Sequence, residues 1–123
     1  MPDSVKDMLA AAEAVVPRVT PAEAAQLMRD RHALIVDLRE GSELQAGKVK
    51  GAVHVPRGLL EFRADPSAPS HDPAFDPSRP VILYCASGGR AALAGKTLRD
   101  LGYADVRNLG GFKDWAAAGG EVE

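Results

Sequence analysis

The chain has 123 residues, a formal net charge of −2 at neutral pH, and 46% apolar and 26% charged residues. This length is enough for one compact domain and too short for two of ordinary size, and the composition is that of a soluble globular protein. The net charge is too small and of the wrong sign to attract nucleic acid, so nucleic acid is not an expected partner. No apolar stretch approaches the ~20 residues that span a bilayer, so a membrane is not expected either.

The N-terminal segment is predicted to form an amphipathic helix over residues 4–16, because Val5, Met8 and Ala12 recur at helical spacing. Ser4 and Asp7 fit a capping pair at its start. The acidic residues within its apolar pattern are unlike those of a secretory signal. The chain has a single cysteine, and a free thiol is typical of a reducing compartment. We therefore expect a cytoplasmic protein.

A second helix is predicted after Thr20, with Pro21 in its first turn and Glu23 completing a capping box. Short apolar segments predict strands over residues 33–38, 51–56, 80–85 and 105–109. Two more helices are predicted over residues 90–101 and 111–119, ended by Gly102 and Gly119. The proline-rich segment 64–80 is predicted to be an extended surface loop.

Strands that alternate with helices predict an α/β fold, with a parallel sheet covered by helices on both faces. In such sheets ligands bind in the crevice outside the carboxyl ends of the strands. Asp37, Arg57 and Cys85 each lie at or just beyond the end of a predicted strand. We therefore expect these three residues at one edge of the sheet.

Cys85 ends a predicted strand and is followed, before the next helix, by Ala86, Ser87, Gly88, Gly89 and Arg90. The two glycines allow successive N–H groups to turn inward and form an anion-binding nest at a helix N-terminus. Such a nest stabilises a thiolate, and Arg90 adds positive charge at its rim or fixes the loop through its fork of donors. A cysteine after a strand is otherwise more often an inert core residue. The glycines and the arginine favour a nucleophile whose product is an anion.

Three segments resemble the rhodanese-like sulfurtransferase family. CASGGR (85–90) matches the family's C-x-x-G-x-R loop, DLREGSELQAGKVKGAVHVP (37–56) is similar to its D-x-R…E…G-H-I-x-G-A…P segment, and NLGGFKDW (108–115) is similar to its L-x-G-G-x-x-x-W segment. The resemblance implies a five-stranded parallel sheet with helices on both faces. It also implies a rhodanese-like domain over residues 18–123 and an N-terminal helical extension over residues 1–17.

The resemblance further implies a reaction without metal or cofactor. Cys85 would attack the outer sulfur of a small donor such as thiosulfate and hold that sulfur as a persulfide. Cyanide or a thiol, including a protein thiol, would then accept it. The chain departs from the family pattern at Lys48, Ala86 and Ala91, and these departures bear on substrate preference more than on sulfur transfer. The sequence leaves the oligomeric state open.

Other charged residues are assigned supporting or alternative roles. Asp37 and Arg39 are expected to support the loop, with a bracing role for the carboxylate favoured over a catalytic one. Arg39 and Glu43, four residues apart, are predicted to form an ion pair on a helix face. Arg57 and Arg63 are candidate substrate-binding residues that could attract anionic donors, and solvated surface arginines are the equal alternative. The three histidines lack ligand spacing, so no metal site is predicted.

Two other functions compete with sulfur transfer. A cysteine phosphatase or arsenate reductase also uses a cradled thiolate, but those loops place five residues between the cysteine and the arginine, and this chain has four: Ala86, Ser87, Gly88 and Gly89. A shorter loop closes a smaller cup, which suits a sulfur atom better than a tetrahedral oxyanion. The other alternative is a module that carries or senses persulfide without turnover.

Overall fold

The central sheet is entirely parallel in the computed structural model, which describes residues 2–123. Its strands are β1 (Leu34–Asp37), β2 (Val53–His54), β3 (Val81–Cys85) and β4 (Val106–Gly111). Their order across the sheet is β2-β1-β3-β4, so β3 lies between two neighbours. The predicted α/β class and all four sequence-predicted strands are confirmed, and Cys85 ends an inner strand.

The described residues contain four strands where the family resemblance implied five. The outer position beside β4 holds a single parallel bridge between Arg18 and Asn108. The N–H of Val19 donates to the Asn108 carbonyl at 3.0 Å, and the N–H of Asn108 donates to the Pro17 carbonyl at 2.9 Å. Pro17 has no N–H, and the next helix begins at Pro21, so this segment is too short to extend the ladder.

Five α-helices occur within the described residues: α1 (Val5–Glu13), α2 (Pro21–Asp30), α3 (Leu60–Ala64), α4 (Gly89–Asp100) and α5 (Phe112–Ala117). Both predicted caps are present as reciprocal hydrogen bonds, between Ser4 and Asp7 and between Thr20 and Glu23. Residues 41–46 and 57–59 form short 3-10 helices. The loop predicted over 64–80 spans residues 65–80, because Ala64 ends α3, and it is not entirely on the surface, because Phe75 packs in the core.

Alternation along β3 assigns its side chains to two cores. Val81, Leu83 and Cys85 pack on one face with residues of α3 and α4, whereas Ile82 and Tyr84 pack on the other with residues of α2 and α5. Helices therefore cover both faces of the sheet, as predicted. The alternation places the Cys85 side chain on the α4 face, beneath the beginning of that helix.

Helix α1 and the residues that follow it pack across α4, where Val16 makes a close contact with Gly95. A Cβ atom added to Gly95 would lie 2.8 Å from both methyl carbons of Val16, so only glycine fits there without a shift. Ala12 and Val16 are buried, whereas Val5 and Met8 are 64% and 47% exposed. The helix begins where predicted but ends at Glu13 rather than at residue 16, and its buried face is narrower than the apolar spacing indicated. None of the described helices is both long and apolar enough to span a membrane.

Candidate active site

The cysteine loop encloses the sulfur of Cys85 at the carboxyl end of β3. The N–H of Gly88 donates to Sγ at 3.0 Å. Gly88 is also the N-cap of α4, with a φ of +104° that L-residues rarely adopt. The amide dipoles of α4 therefore begin at the sulfur and favour negative charge there. Cys85 is only 1% exposed, so the surrounding protein covers the thiol almost completely.

Arg90 is held over this loop by Glu43. Its Nη1 and Nη2 donate to the two carboxylate oxygens of Glu43 at 2.8 and 2.9 Å, and the N–H of Glu40 donates to the same carboxylate at 2.6 Å. The hydrogen bonds from Arg90, followed by that from Glu40, lower the pKa of Glu43 to about 2. The bonds to Glu43 raise the pKa of Arg90, with a smaller contribution from the Cys85 sulfur. The pair therefore stays charged at neutral pH.

The predicted ion pair between Arg39 and Glu43 is wrong. Arg39 pairs instead with Asp37, with 2.7 Å between Nη2 and Oδ2, and its Nη1 donates to the backbone carbonyl of Glu43 at 3.2 Å. The prediction assumed one α-helix containing both residues, but Arg39 precedes a 3-10 helix that begins at Gly41. Arg39 thereby positions the backbone of the residue whose carboxylate holds Arg90.

Asp37 is fully buried and accepts hydrogen bonds rather than contacting the sulfur. It accepts from the N–H and side chain of Arg39 and from the hydroxyl of Tyr84, the latter at 2.6 Å. Burial raises its pKa, but the hydrogen bonds from Arg39 and Tyr84 outweigh burial and hold the pKa below its ordinary value. Because the folded-state pKa is lowered, this carboxylate stabilises the fold at neutral pH, and that contribution disappears as the pH falls through the folded-state value.

Asn108 ties the cysteine loop to the end of β4. Its side-chain amide donates to the Gly88 carbonyl at 3.1 Å and accepts from the N–H of Gly110 at 2.8 Å, and the residue is 2% exposed. Beside it, Gly111 packs so closely on the carbonyl of Ala86 that no Cβ would fit. Asn108 was not among the site residues predicted from the sequence, because the predicted strand over 105–109 also contains Asp105 and Arg107 and its polar residues gave no distinct signal.

Replacing Asn108 by alanine should lower the free energy of unfolding by about 2 kcal/mol, because two buried backbone groups lose their partner. Urea denaturation of both proteins measures this difference. Lys113→Ala is the control, since Lys113 is exposed and should change stability by less than about 0.5 kcal/mol. Equal midpoints for Asn108→Ala and the parent protein would show that Asn108 does not brace the loop.

Arg57 and Arg63 contact other parts of the molecule. Arg57 donates to Glu61 at 3.0 Å and to the Thr97 hydroxyl at 3.1 Å, and Arg63 donates to the Ser70 carbonyl at 3.5 Å. Thr97 lies two turns beyond Arg90 on α4, about 10 Å along the helix. The backbone of Arg57 lies at the expected edge of the sheet, where its N–H donates to the carbonyl of Leu38. Its guanidinium, however, is directed towards Thr97 on α4. Attraction of anionic donors by these arginines stays a prediction.

The fold and the site together define an α/β domain in which a cysteine ends an inner parallel strand and lies in a glycine-containing loop at a helix N-terminus. The family model for the rhodanese-like domain matches residues 20–118. The chain therefore belongs to the rhodanese-like family.

Two curated relatives show how similarity extends along the chain. A thiosulfate sulfurtransferase of Pseudomonas fluorescens (strain SBW25) is 34% identical over 97 residues, which cover 77% of this chain and 81% of that protein. An uncharacterized protein of Bacillus subtilis (strain 168) is 34% identical over 94 residues, covering 76% of this chain. The match spans 66% of the Bacillus protein, slightly less than two thirds of its length.

Among solved structures, a protein of unknown function from Rhodopseudomonas palustris CGA009 superposes with a TM-score of 0.88 and 37% identity. The similarity covers 100% of this chain and 99% of that one. That protein carries the description "possible tyrosine phosphatase". The similarity therefore extends over α1 as well as the region matched by the family model.

Proposed function

We propose that this protein is a sulfurtransferase that moves a sulfane sulfur atom from a donor such as thiosulfate to a thiol or cyanide through a persulfide on Cys85. The observation that carries the proposal is the 3.0 Å hydrogen bond from the Gly88 N–H to Sγ at the beginning of α4. A backbone donor and a helix N-terminus stabilise a thiolate before the reaction and a persulfide anion after it. The thiosulfate sulfurtransferase of P. fluorescens supports the choice of donor.

The proposed reaction has two half-reactions at one sulfur atom. The Cys85 thiolate attacks the outer sulfur of thiosulfate; a new S–S bond forms, the S–S bond of thiosulfate breaks, and sulfite leaves with the electron pair. Cyanide or a thiolate then attacks the outer sulfur of the persulfide and releases the Cys85 thiolate. Because Cys85 is 1% exposed, a donor needs a local displacement of the atoms around it to reach the sulfur.

In this scheme the charged residues around the loop act by position. Arg90 provides fixed positive charge beside the sulfur, and Glu43 fixes its direction through two hydrogen bonds. Arg39 supports Glu43 by donating a hydrogen bond to the backbone carbonyl of Glu43, and Asp37 fixes Arg39 through an ion pair. None of these four residues exchanges a proton in the proposed steps.

A phosphatase is the second candidate, favoured by the description of the R. palustris structure. Against it stands the length of the loop, because four residues separate Cys85 from Arg90 where cysteine phosphatases place five. The shorter loop forms a smaller cup around Sγ. A persulfide carrier without turnover is the third candidate, and it requires the same Cys85 chemistry as the enzyme.

Mass spectrometry after reaction with thiosulfate tests the proposal. The protein, mixed with excess thiosulfate and desalted, should gain the mass of one sulfur atom, ~32 Da, on Cys85. Cyanide should remove the added sulfur as thiocyanate, and with both reagents present the protein should turn over many times. A stable adduct without turnover would favour the carrier. Absence of an adduct from thiosulfate or any persulfide donor, together with hydrolysis of phosphate esters, would favour the phosphatase.

A further inference from the structure

A second guanidinium, that of Arg18, lies against the cysteine loop. A Cβ atom added to Gly88 would be 3.0 Å from Nη1 of Arg18, and one added to Gly110 would overlap Nη2. Both glycines have positive φ, +104° and +95°. The planar group therefore occupies space that exists because neither position carries a side chain.

The backbone of Arg18 is fixed by the same residue that ties down the loop. Asn108 forms the parallel bridge to Arg18, with backbone hydrogen bonds on both sides of it, while its side chain holds Gly88 and Gly110. Gly88 follows β3 and Gly110 lies in the last part of β4. Arg18 is thereby directed to the carboxyl edge of the sheet, where ligands of parallel α/β folds bind.

The Arg18 side chain is exposed, and it makes no hydrogen bond or ion pair with any residue in the part of the chain that the structure describes. One carboxylate lies close by, that of Asp114, whose Oδ2 would be 3.7 Å from a Cβ on Gly110, but it forms no ion pair with Arg18. Arg90, by contrast, gives its two Nη groups to Glu43. Arg18 is thus a guanidinium beside the loop with its hydrogen-bond donors available.

We propose that Arg18 binds the anionic end of the sulfur donor and sets the preference of the site for negatively charged donors. This inference rests on the proposed function, because it assigns the binding of the donor in the same reaction. The fork of donors on Arg18 fits the oxygens of a sulfonate group. Gly88, beside which Arg18 lies, donates its N–H to the sulfur of Cys85, so a donor bound at Arg18 is held next to the nucleophile's loop. Sulfur transfer itself remains with Cys85, so loss of Arg18 should weaken donor binding without removing the reaction.

Steady-state kinetics with thiosulfate provide the first test. Arg18→Gln should raise KM for thiosulfate about tenfold, because one positive charge near a dianion is lost, and should change kcat by less than about twofold. Arg18→Lys keeps the positive charge, so its KM for thiosulfate should stay close to that of the parent protein. Arg29→Gln is the matched control, because Arg29 is also exposed and has no ion pair among residues 2–123, but lies in the last turn of α2, which leads to the amino end of β1. Equal KM values for Arg18→Gln and Arg29→Gln would overturn the inference.

Alkylation of Cys85 provides a second test that does not depend on sulfur transfer. Iodoacetate is an anion and iodoacetamide is neutral, so their rate ratio reports the potential at the sulfur. Arg18→Gln should lower that ratio about threefold, and Arg29→Gln should leave it unchanged. If Arg18→Gln lowers the alkylation ratio as expected but the parent protein transfers no sulfur, the proposed function alone is contradicted. Sulfur transfer with neither a KM change nor a ratio change would contradict the role of Arg18 alone.

Discussion

Replacement of Cys85 by serine is expected to abolish both the thiosulfate-derived mass increase and the formation of thiocyanate. The hydroxyl is nearly isosteric with the thiol and still lies near the Gly88 N–H, but it is far less nucleophilic and forms no persulfide. Turnover should therefore fall by at least ~10³-fold. Mass spectrometry and a colorimetric assay for thiocyanate measure the two losses separately.

The fold of this variant should survive, which separates lost chemistry from lost structure. Cys85 is buried at the end of β3, and exchange of one small side chain there should change the unfolding free energy by about 1 kcal/mol. Because Cys85 is the only cysteine of the chain, an adduct on the serine variant would place the sulfur on another residue. Such an adduct, or residual turnover near the parent rate, would contradict the proposed persulfide.

Features encoded by neighbouring residues were predictable from the sequence. The apolar segments predicted all four strands, and the capping pairs at Ser4 and Thr20 fixed where two helices begin. The cysteine loop was recognisable because two glycines and an arginine follow the cysteine between a strand and a helix, which allows backbone N–H groups to turn towards the sulfur. Each of these signals involves residues within a few positions of one another, so the spacing along the sequence determines how close they lie in the structure.

Contacts between distant segments were not predictable in this way. Glu43 and Arg90 are 47 positions apart, and they meet because parallel pairing of β1 with β3 brings their following loops to one edge. From spacing alone Arg39 was the obvious partner of Glu43, and that prediction failed. Arg18 gave no local signal either, since its position at the loop depends on a single bridge to Asn108.

The buried face of α1 shows the same limit in packing. Apolar spacing identified a helix and included Val5 and Met8, which remain exposed. The residues that become buried are Ala12 in α1 and Val16 just beyond its end. The surface of α4 determines this choice, because Gly95 leaves room for the close approach of Val16. A pattern of hydrophobicity predicts that a helix has an apolar side, but the partner surface determines which part of that side is covered.

Replacement of Arg90 by lysine should reduce the rate of sulfur transfer about 100-fold while the protein remains folded. Lysine keeps the positive charge, but a single ammonium group cannot make both hydrogen bonds that join Arg90 to the two oxygens of Glu43. A loop displaced by about 1 Å loses the alignment on which the attack depends. The pair is about one-third exposed, so its loss should lower the unfolding free energy by about 1 kcal/mol or less.

A double-mutant cycle with Glu43→Gln then tests whether the two residues act as one unit. If Glu43 works only by orienting Arg90, the double variant should be no slower than Arg90→Lys alone, because the orientation is already lost. Arg107→Lys is the control, since Arg107 has a similar exposure and its own ion pair, with Asp105, away from the loop. Additive losses in the double variant would instead give Glu43 a separate role, and an unchanged rate in Arg90→Lys would reduce Arg90 to a surface charge.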